Sequence, residues 1–237
     1  MDFSVVKKSL HRGDFLRKTR DYMAKHLLSS DYRYTRSMEY AADDVRPQII
    51  SNDYVRSASL ELVAHEIQRN EVMGSVAELG VYRGDFAMLI NRVFPDRTLY
   101  LFDTFEGFDE ADVKCEIREG YSSGTQDFSD TSLEIVLGKM LHMEKCVVKK
   151  GSFPQTTEGL EEERFAFVSV DADLYQPIYE GLKFFYPRLS RGGAIFIHDF
   201  NNVEYKGAAQ AVREYCAKEG ISYFPLCDNC GTAVIVK

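Results

Sequence analysis

The sequence contains no tryptophan, no long apolar run and no excess of positive charge. Its longest apolar stretches, such as residues 194–197, are as long as a strand and far shorter than the roughly 20 residues of a membrane-spanning helix. Lys and Arg number 29 against 37 Asp and Glu, so the net charge is -8. A chain this acidic lacks the basic surface with which proteins bind nucleic-acid phosphates. We therefore expect neither a membrane span nor a nucleic-acid partner.

The first residues, MDFSVVKKSLHRGDF, also lack the apolar core of a secretory signal. We expect a cytoplasmic protein whose five cysteines are free thiols. The composition, with 45% hydrophobic and 28% charged residues, is typical of a globular chain. Aromatic residues are abundant, and those in strand or packing positions are predicted to fill the core: Phe165, Phe167, Phe184, Phe185 and Phe196.

From about residue 75 onward, short apolar runs alternate with helical patterns, which is typical of an α/β domain with a mainly parallel sheet. Strands are predicted at 75–79, 98–102, 146–151, 165–170, 194–198, 221–226 and 232–236. One-sided helices are predicted at 85–94, 131–141, 174–186 and 206–218. Only a few residues separate the last two strands, so they should form an antiparallel hairpin.

The first 70 residues are charge-rich and contain one amphipathic stretch near residues 54–67. They are predicted to form a helical layer, which could cover the carboxyl edge of the sheet as a lid or make a dimer contact. No tract rich in Pro, Gly or Ser separates this layer from the core. We therefore expect a single domain over residues 1–237, with the layer at 1–70 and the core at 71–237.

A glycine turn follows the first predicted strand, in VAELGVYRGDFA. Gly80 and Gly84 allow the backbone to approach a ligand closely, and Asp85 opens the next helix, as in turns that bind nucleotide-like cofactors. The second strand ends in Asp103, about two dozen residues later, where the ribose of an adenosine cofactor needs a carboxylate. The sequence therefore predicts an adenosine cofactor at the carboxyl edge of the sheet.

A nicotinamide cofactor is the competing interpretation, because Tyr179 and Lys183 form a YxxxK pair like that of short-chain dehydrogenases. The glycine turn lacks the third glycine of such enzymes, since Phe86 stands at that position. We therefore interpret Tyr179 as a packed residue and Lys183 as its exposed neighbour on an amphipathic helix.

Acidic residues cluster at the ends of the fourth and fifth strands. The fourth strand ends in Asp171 and Asp173, and the fifth ends in His198 and Asp199. In an open α/β sheet these ends project into the crevice beside the glycine turn, where the carboxylates would repel one another. A divalent ion with oxygen ligands, most simply Mg²⁺, would relieve that repulsion. The alternative is that the two aspartates of the fourth strand cap the following helix.

Several motifs, in this order, resemble the macrocin O-methyltransferase family, whose members use S-adenosylmethionine to methylate sugar hydroxyls on natural products. The motifs are AELGVYRGDFA, LYLFDTFEGFDE, FSDTS, KKGSFPQTT, FVSVDADLYQPIYEGLKFFYPRLSRGGAIFIHDFNN and GTAVIVK, and the resemblance covers about residues 50–237. It implies the Rossmann-like class I methyltransferase fold, a seven-stranded, mostly parallel sheet whose last strand is antiparallel. Alternation alone would equally allow a dinucleotide-binding fold.

The resemblance also implies residue roles. Residues implied to bind S-adenosylmethionine are Glu78, Gly80 and Gly84 at the methionine part, Asp103 at the ribose, Gly151 and Ser152 near the adenine, and Asp171. The implied metal ligands are Asp171 and Asp199 with His198, where many family members have a second aspartate. Because imidazole is a softer donor than carboxylate, the ion is Mg²⁺ or a transition ion such as Mn²⁺. Alternatively, His198 points away and Asn201 or Asn202 completes the site.

These observations predict a metal-assisted O-methyltransferase that acts on a sugar hydroxyl of a natural-product glycoside or a surface glycan. Asp173 is the favoured base, with Asp171 or His198 as the base if Asp173 binds the metal. Aromatic residues predicted to border the crevice and bind the substrate are Tyr32, Tyr34, Tyr40, Phe105, Phe108 and Tyr121. The rival functions are an NAD(P)-dependent oxidoreductase and a non-catalytic nucleotide-binding module.

Overall fold

The computed structural model describes residues 53–125 and 127–237. The strands are β1 Ser75–Leu79, β2 Leu99–Asp103, β3 Cys146–Lys150, β4 Phe165–Val170, β5 Leu189–Ile197, β6 Phe224–Leu226 and β7 Thr232–Val236. The α-helices are α1 Tyr54–Arg69, α2 Asp85–Val93, α3 Glu110–Glu119, α4 Leu133–Leu137, α5 Tyr175–Arg188 and α6 Lys206–Glu219. Within these residues, no helix is both long enough and apolar enough to cross a membrane.

All seven strands form one sheet in the order β3-β2-β1-β4-β5-β7-β6. Strands β1 to β5 pair in parallel, and β7 runs antiparallel to both β5 and β6. This is the predicted class I methyltransferase topology. The strand order reverses between β1 and β4, and in such sheets the crevice outside the carboxyl ends at that point binds the ligand.

The sheet is held by a core rich in phenylalanine. Every residue of β4 is buried, and Phe165, Phe167, Phe185 and Phe196 are less than 2% exposed, as predicted. Burying each such side chain contributes about 1.5–3 kcal/mol. Phe184 is only half-buried, and the Arg188 guanidinium lies 4.3 Å from the centre of its ring. This core fixes the strand ends that carry the polar site.

The structure departs from the sequence-based elements at several places, and one of them is a central strand, since β5 begins at Leu189 rather than at residue 194. The segment after β2, where no helix is predicted, contains helix α3, which Asp109 caps by accepting a hydrogen bond from the amide of Ala111. Its only buried side chain is Glu116, so it lacks the apolar stripe by which amphipathic helices are recognised. The helix expected at 131–141 is only Leu133–Leu137, and β6 begins at Phe224 rather than at residue 221.

Candidate active site

A cavity of about 360 Å³ opens at the carboxyl ends of β1, β2, β4 and β5, where small-molecule sites of this fold lie. Its walls contain most of the residues that the sequence predicts to bind cofactor, metal or substrate: Glu78, Gly80, Asp103, Phe108, Gly151, Ser152, Asp171, Asp173, His198 and Asp199. The fold therefore brings the polar residues at the ends of these strands together in one site.

The two glycines of the turn have different surroundings. Gly80 has a φ of +83°, and a Cβ placed on it would lie 2.5 Å from the carbonyl carbon of Asp171 and closer still to its oxygen. Only glycine permits β1 and β4 to approach so closely there. Gly84 does not line the cavity, because it packs against α4, where an added Cβ would lie 3.1 Å from a methyl carbon of Val136. Its predicted cofactor contact stays a prediction.

Asp103 organises the glycine turn as well as lining the cavity. Its Oδ2 accepts hydrogen bonds from the amides of Val81 and Tyr82, at 2.6 and 2.9 Å, and its Oδ1 accepts one from the amide of Phe105 at 2.6 Å. The Thr104 hydroxyl also lies 3.5 Å from Oδ1, but its one proton has a nearer acceptor in the carbonyl of Gly107. A carboxylate has about four acceptor positions, so the three amide bonds leave about one for a further donor. The carboxylate predicted to bind the ribose is thus held in place by the turn it follows.

Glu78 places a buried carboxylate in the same cavity. Its side chain is 1% exposed, and its Oε2 has no hydrogen-bond partner within the described residues. Burial raises its pKa well above the ordinary value, and this effect outweighs the opposing charge of Arg56. An acceptor left unpaired in a ligand cavity fits a donor on the ligand, because a buried acceptor without a partner is costly. This observation agrees with the predicted methionine end of the cofactor.

Arg56, on α1, is a site residue that the sequence analysis missed. Its guanidinium donates from Nη1 to Asp171 at 2.9 Å and from Nη2 to the hydroxyl of Ser169 at 3.0 Å. The same group lies 3.8 Å from the centre of the Phe86 ring. A signal was present, because Arg56 is in helical register with the buried Leu60 and so falls on the buried stripe of α1.

His198 joins the two acidic strand ends. Its Nδ1 lies 3.0 Å from Oδ1 of Asp171 and 3.1 Å from Oδ2 of Asp199, and its Nε2 lies 3.0 Å from the carbonyl oxygen of Asn229. The carbonyl needs a proton on Nε2, so Nδ1 faces the carboxylates with either a second proton or a free electron pair. The imidazole does not point away from the cluster, as one of the alternatives for this site supposed.

Two cationic side chains of the protein, Arg56 and His198, partly neutralise the acidic cluster at the strand ends. Burial alone would raise the pKa of Asp171, but the charges of Arg56 and His198 outweigh it and hold that pKa well below its usual range. Burial opposes the charge of His198, yet Asp171 raises the pKa of the imidazole to about 11. Asp173, at the positive φ of 57°, has its pKa raised by burial and by repulsion from Asp199.

The donor atoms of Asp171, His198 and Asp199 fit a divalent ion. They all lie within 4.8 Å of one another, and the two distances of 3.0 and 3.1 Å match the spacing of about 3.0 Å between adjacent ligands at 2.1 Å from an octahedral ion. Asn202 donates to Oδ1 of Asp199 at 2.8 Å, as outer-shell residues of metal sites do. Its own oxygen accepts from the amide of Glu204, so Asn202 orients Asp199.

A second group, Asp53, His198 and Asp228, has donor atoms equally close together. Its carboxylates already serve the fold, since Asp53 accepts from the amide of Asn229 and Asp228 accepts from the amide and hydroxyl of Thr232. The group containing Asp171 and Asp199 is therefore the better candidate for a metal.

Aromatic side chains form one wall of the cavity. The Phe128 ring lies edge-on to Phe108 at 5.0 Å and to Tyr82 at 5.2 Å, and the Tyr82 hydroxyl donates to Asp130 at 2.5 Å. Phe108 is predicted from the sequence to border the cavity, whereas the other two aromatics are not. We call Tyr82, Phe108 and Phe128 the aromatic wall.

The remaining predicted aromatics lie elsewhere. Phe105 is 5% exposed and packs in the interior rather than in the cavity wall. Tyr121 lines a separate surface cleft and lies 5.5 Å from the ring of Tyr175. Tyr32, Tyr34 and Tyr40 lie outside the described residues.

The YxxxK pair is structural. Tyr179 stacks on Tyr175 at 5.6 Å, and Lys183 bonds to Glu180 at 2.8 Å. Neither residue lines the cavity, so the interpretation of a packed tyrosine beside an exposed lysine is confirmed.

Residues 35–235 match the model of the Macrocin-O-methyltransferase (TylF) family, which is most of the chain. The protein belongs to the macrocin O-methyltransferase family. The resemblance noted from its motifs is thereby confirmed, and the NAD(P)-dependent oxidoreductase interpretation is set aside.

Curated relatives of this macrocin O-methyltransferase family member are named as O-methyltransferases. A tetracenomycin rhamnosyl 4'-O-methyltransferase of Streptomyces olivaceus is 26% identical over 238 residues, which cover 90% of each chain. Mycinamicin III 3''-O-methyltransferase of Micromonospora griseorubida is 30% identical over 181 residues, which cover 70% of each chain.

Solved structures agree on the fold of this family member. The O-methyltransferase NovP matches with a TM-score of 0.60 at 21% identity, covering 77% of this chain and 79% of its own. The calicheamicin methyltransferase CalS11 also matches with a TM-score of 0.60, at 16% identity, covering 88% and 98%. These likenesses show the class I methyltransferase fold.

Proposed function

We propose that this protein transfers a methyl group from S-adenosylmethionine to a hydroxyl on the sugar of a small-molecule glycoside or glycan, with the assistance of a divalent ion. The observation that supports this most strongly is a single cavity that contains the unpaired Glu78, the Asp103 turn and the cluster of Asp171, His198 and Asp199. One relative is named as the 4'-O-methyltransferase of a tetracenomycin that carries a rhamnosyl group, which supports a sugar-bearing acceptor.

Residues on three strand ends would hold the cofactor. Glu78 faces the methionine end, Asp103 offers its remaining acceptor position to the ribose, and Gly151 and Ser152 border the adenine end. S-adenosylmethionine supplies a methyl group activated by the positive sulfonium. The protein's task is to hold the acceptor oxygen in line with that methyl, and positioning alone can supply several kcal/mol of the barrier reduction.

Asp171, His198 and Asp199 would hold the divalent ion. For this, His198 would release its Nδ1 proton to solvent, keep the proton on Nε2 for the Asn229 carbonyl and offer Nδ1 to the ion. A bound ion would lower the pKa of an acceptor hydroxyl. Mg²⁺ suits the two carboxylates, and Mn²⁺ also suits the imidazole.

Asp173 is the proposed base. It follows β4 at the cavity wall, and its backbone adopts the left-handed region at φ 57°. Aspartate tolerates this conformation better than most residues that carry a side chain. Asp173 would take the proton of the acceptor hydroxyl on its carboxylate as the methyl transfers. The aromatic wall would pack against the apolar face of the sugar ring.

The test is methyl transfer from labelled S-adenosylmethionine to a panel of glycosides and nucleotide-activated deoxysugars. Transfer to a sugar hydroxyl, lost after chelation and restored by Mg²⁺ or Mn²⁺, supports the proposal. Full activity after exhaustive chelation would overturn the metal role, and transfer only to phenolic acceptors would overturn the sugar assignment.

Two matched variants test which carboxylates hold the ion. Asp199→Asn should reduce turnover at least about 100-fold while leaving S-adenosylhomocysteine affinity within about threefold. Asp228→Asn, which alters the second group, should keep near-normal turnover. The reverse result would move the ion to Asp53, His198 and Asp228.

A further inference from the structure

Helix α1 brings a cation into the cofactor cavity from outside the parallel sheet. Arg56 is 6% exposed, lines the cavity and lies close enough to Glu78 for their charges to interact. We propose that Arg56 and Glu78 together recognise the amino-acid end of S-adenosylmethionine: the guanidinium binds the α-carboxylate and Glu78 binds the α-ammonium. The inference rests on the proposed cofactor and makes α1 part of its binding site.

The contacts of Arg56 leave donor capacity inside the cavity. Nη1 and Nη2 each donate to a neighbour, Asp171 and Ser169, whereas Nε is buried without a partner in the described residues. A buried donor without a partner carries an unrecovered desolvation cost. Its N–H therefore favours a ligand acceptor, and a carboxylate matches the planar fork of guanidinium hydrogens.

Packing holds the guanidinium in this position. The ring of Phe86, which follows the glycine turn on α2, has its centre 3.8 Å from the guanidinium carbon. The Asp171 carboxylate accepts a hydrogen bond from Nη1 at 2.9 Å. Since both neighbours are themselves cavity residues, the group is presented to the ligand rather than to solvent. A guanidinium already fixed by packing loses little conformational entropy when a ligand binds.

Glu78 supplies an independent observation, an acidic side chain with an acceptor that is unpaired among the described residues. Its Oε2 is unpaired and its side chain is 1% exposed, at the end of β1 in the same wall. One unpaired donor on a cation and one unpaired acceptor on an acid complement the two charged groups of an α-amino acid. Neither feature is explained by the packing of the core alone.

This arrangement predicts discrimination against adenosine ligands that lack the α-carboxylate. One charge-assisted hydrogen bond corresponds to about a 10- to 150-fold change in affinity. We expect the wild-type chain to bind S-adenosylhomocysteine more tightly, by a factor in this range, than its analogue without the α-carboxylate. Arg56→Met should lose most of that ratio, because it weakens only the carboxylate-bearing ligand.

The experiment is isothermal titration calorimetry of the full chain with those two ligands. Arg69→Met is the matched control, because Arg69 ends the same helix on an exposed position and should keep the wild-type ratio. Equal weakening of both ligands in Arg56→Met would indicate a purely structural role and overturn the inference. If that variant does not fold, Arg56→Lys, which retains the charge but lacks the fork, should reduce the ratio partly.

The wild-type chain alone can also contradict the inference. Equal affinity for the two ligands would overturn the carboxylate contact while leaving the cofactor assignment intact. Failure to bind S-adenosylhomocysteine at all would instead overturn the proposed function.

Discussion

Replacement of Gly80 by alanine tests the close approach of β1 to β4 on which the cavity depends. The added Cβ would lie 2.5 Å from the carbonyl carbon and 2.9 Å from the following amide nitrogen, both of them backbone atoms of the segment that begins at Asp171. Backbone cannot rotate away as a flexible side chain can, so the end of β4 must move. The left-handed φ of +83° adds its own cost of about 1–2 kcal/mol.

Gly220→Ala separates these two contributions. Gly220 ends α6 at a φ of +67°, and no atom lies within 4 Å of a Cβ placed there. That variant should lose about 1–2 kcal/mol of unfolding free energy from conformation alone. Gly80→Ala should lose about 1–3 kcal/mol more of unfolding free energy, because the added methyl group overpacks the site. It should also lose affinity for S-adenosylhomocysteine, because Asp171 moves.

Urea denaturation of both variants measures the difference, and calorimetry measures the affinity. In a thermal melt, each kcal/mol of lost unfolding free energy should lower the melting temperature by about 2–4 °C for a chain of this size. If Gly80→Ala were no less stable than Gly220→Ala and bound S-adenosylhomocysteine normally, the proposed reason for glycine at this position would be refuted.

Three further predictions concern the site and its rim. Burial, with the charges of Asp109 and Glu116, raises the pKa of Asp112 to about 6, so its contribution to stability is lost as the pH rises from about 4 through 6. Asp112→Asn should match the wild type at pH 4 and exceed it by about 1 kcal/mol at pH 7.5, after discounting for solvent screening; equal urea midpoints at both pH values would contradict this. Asn202→Ala should raise the Mg²⁺ concentration that gives half-maximal turnover by about 10- to 100-fold. An unchanged half-saturating concentration would argue against a role for Asn202 in orienting the metal ligand Asp199. Phe128→Ala should raise the KM for a sugar acceptor but leave S-adenosylhomocysteine affinity within about twofold, whereas the opposite pattern would assign the aromatic wall to the cofactor.

The strand ends could be predicted because each carries its chemistry locally. Asp103 ends an apolar strand, Asp171 and Asp199 come just after two others, and parallel strands place such ends at one edge. The pairing of Arg56 with Asp171 spans 115 positions of sequence and depends on how α1 packs on the sheet. Its local signal was an arginine on a buried stripe, which has meaning only once its partner is known.

Other features escaped prediction for different physical reasons. Helix α3 is polar, so its cap by Asp109 and its end at Gly120 were better evidence than any apolar period. Phe128 reaches the cavity only because its segment folds back against Tyr82. Asp103 was predicted as a ribose ligand, but its bonds to the glycine turn depend on backbone amides, which no residue pattern reveals.

The most direct test of the central claim is the thermal stability of the full chain with S-adenosylhomocysteine or NAD, each with and without Mg²⁺. A ligand at about 100 times its Kd stabilises the folded state by about 2.7 kcal/mol, which corresponds to a rise of about 5–10 °C in melting temperature. The structure and family predict that rise with S-adenosylhomocysteine and none with NAD. No shift with millimolar S-adenosylhomocysteine, or a shift with NAD alone, would contradict the account.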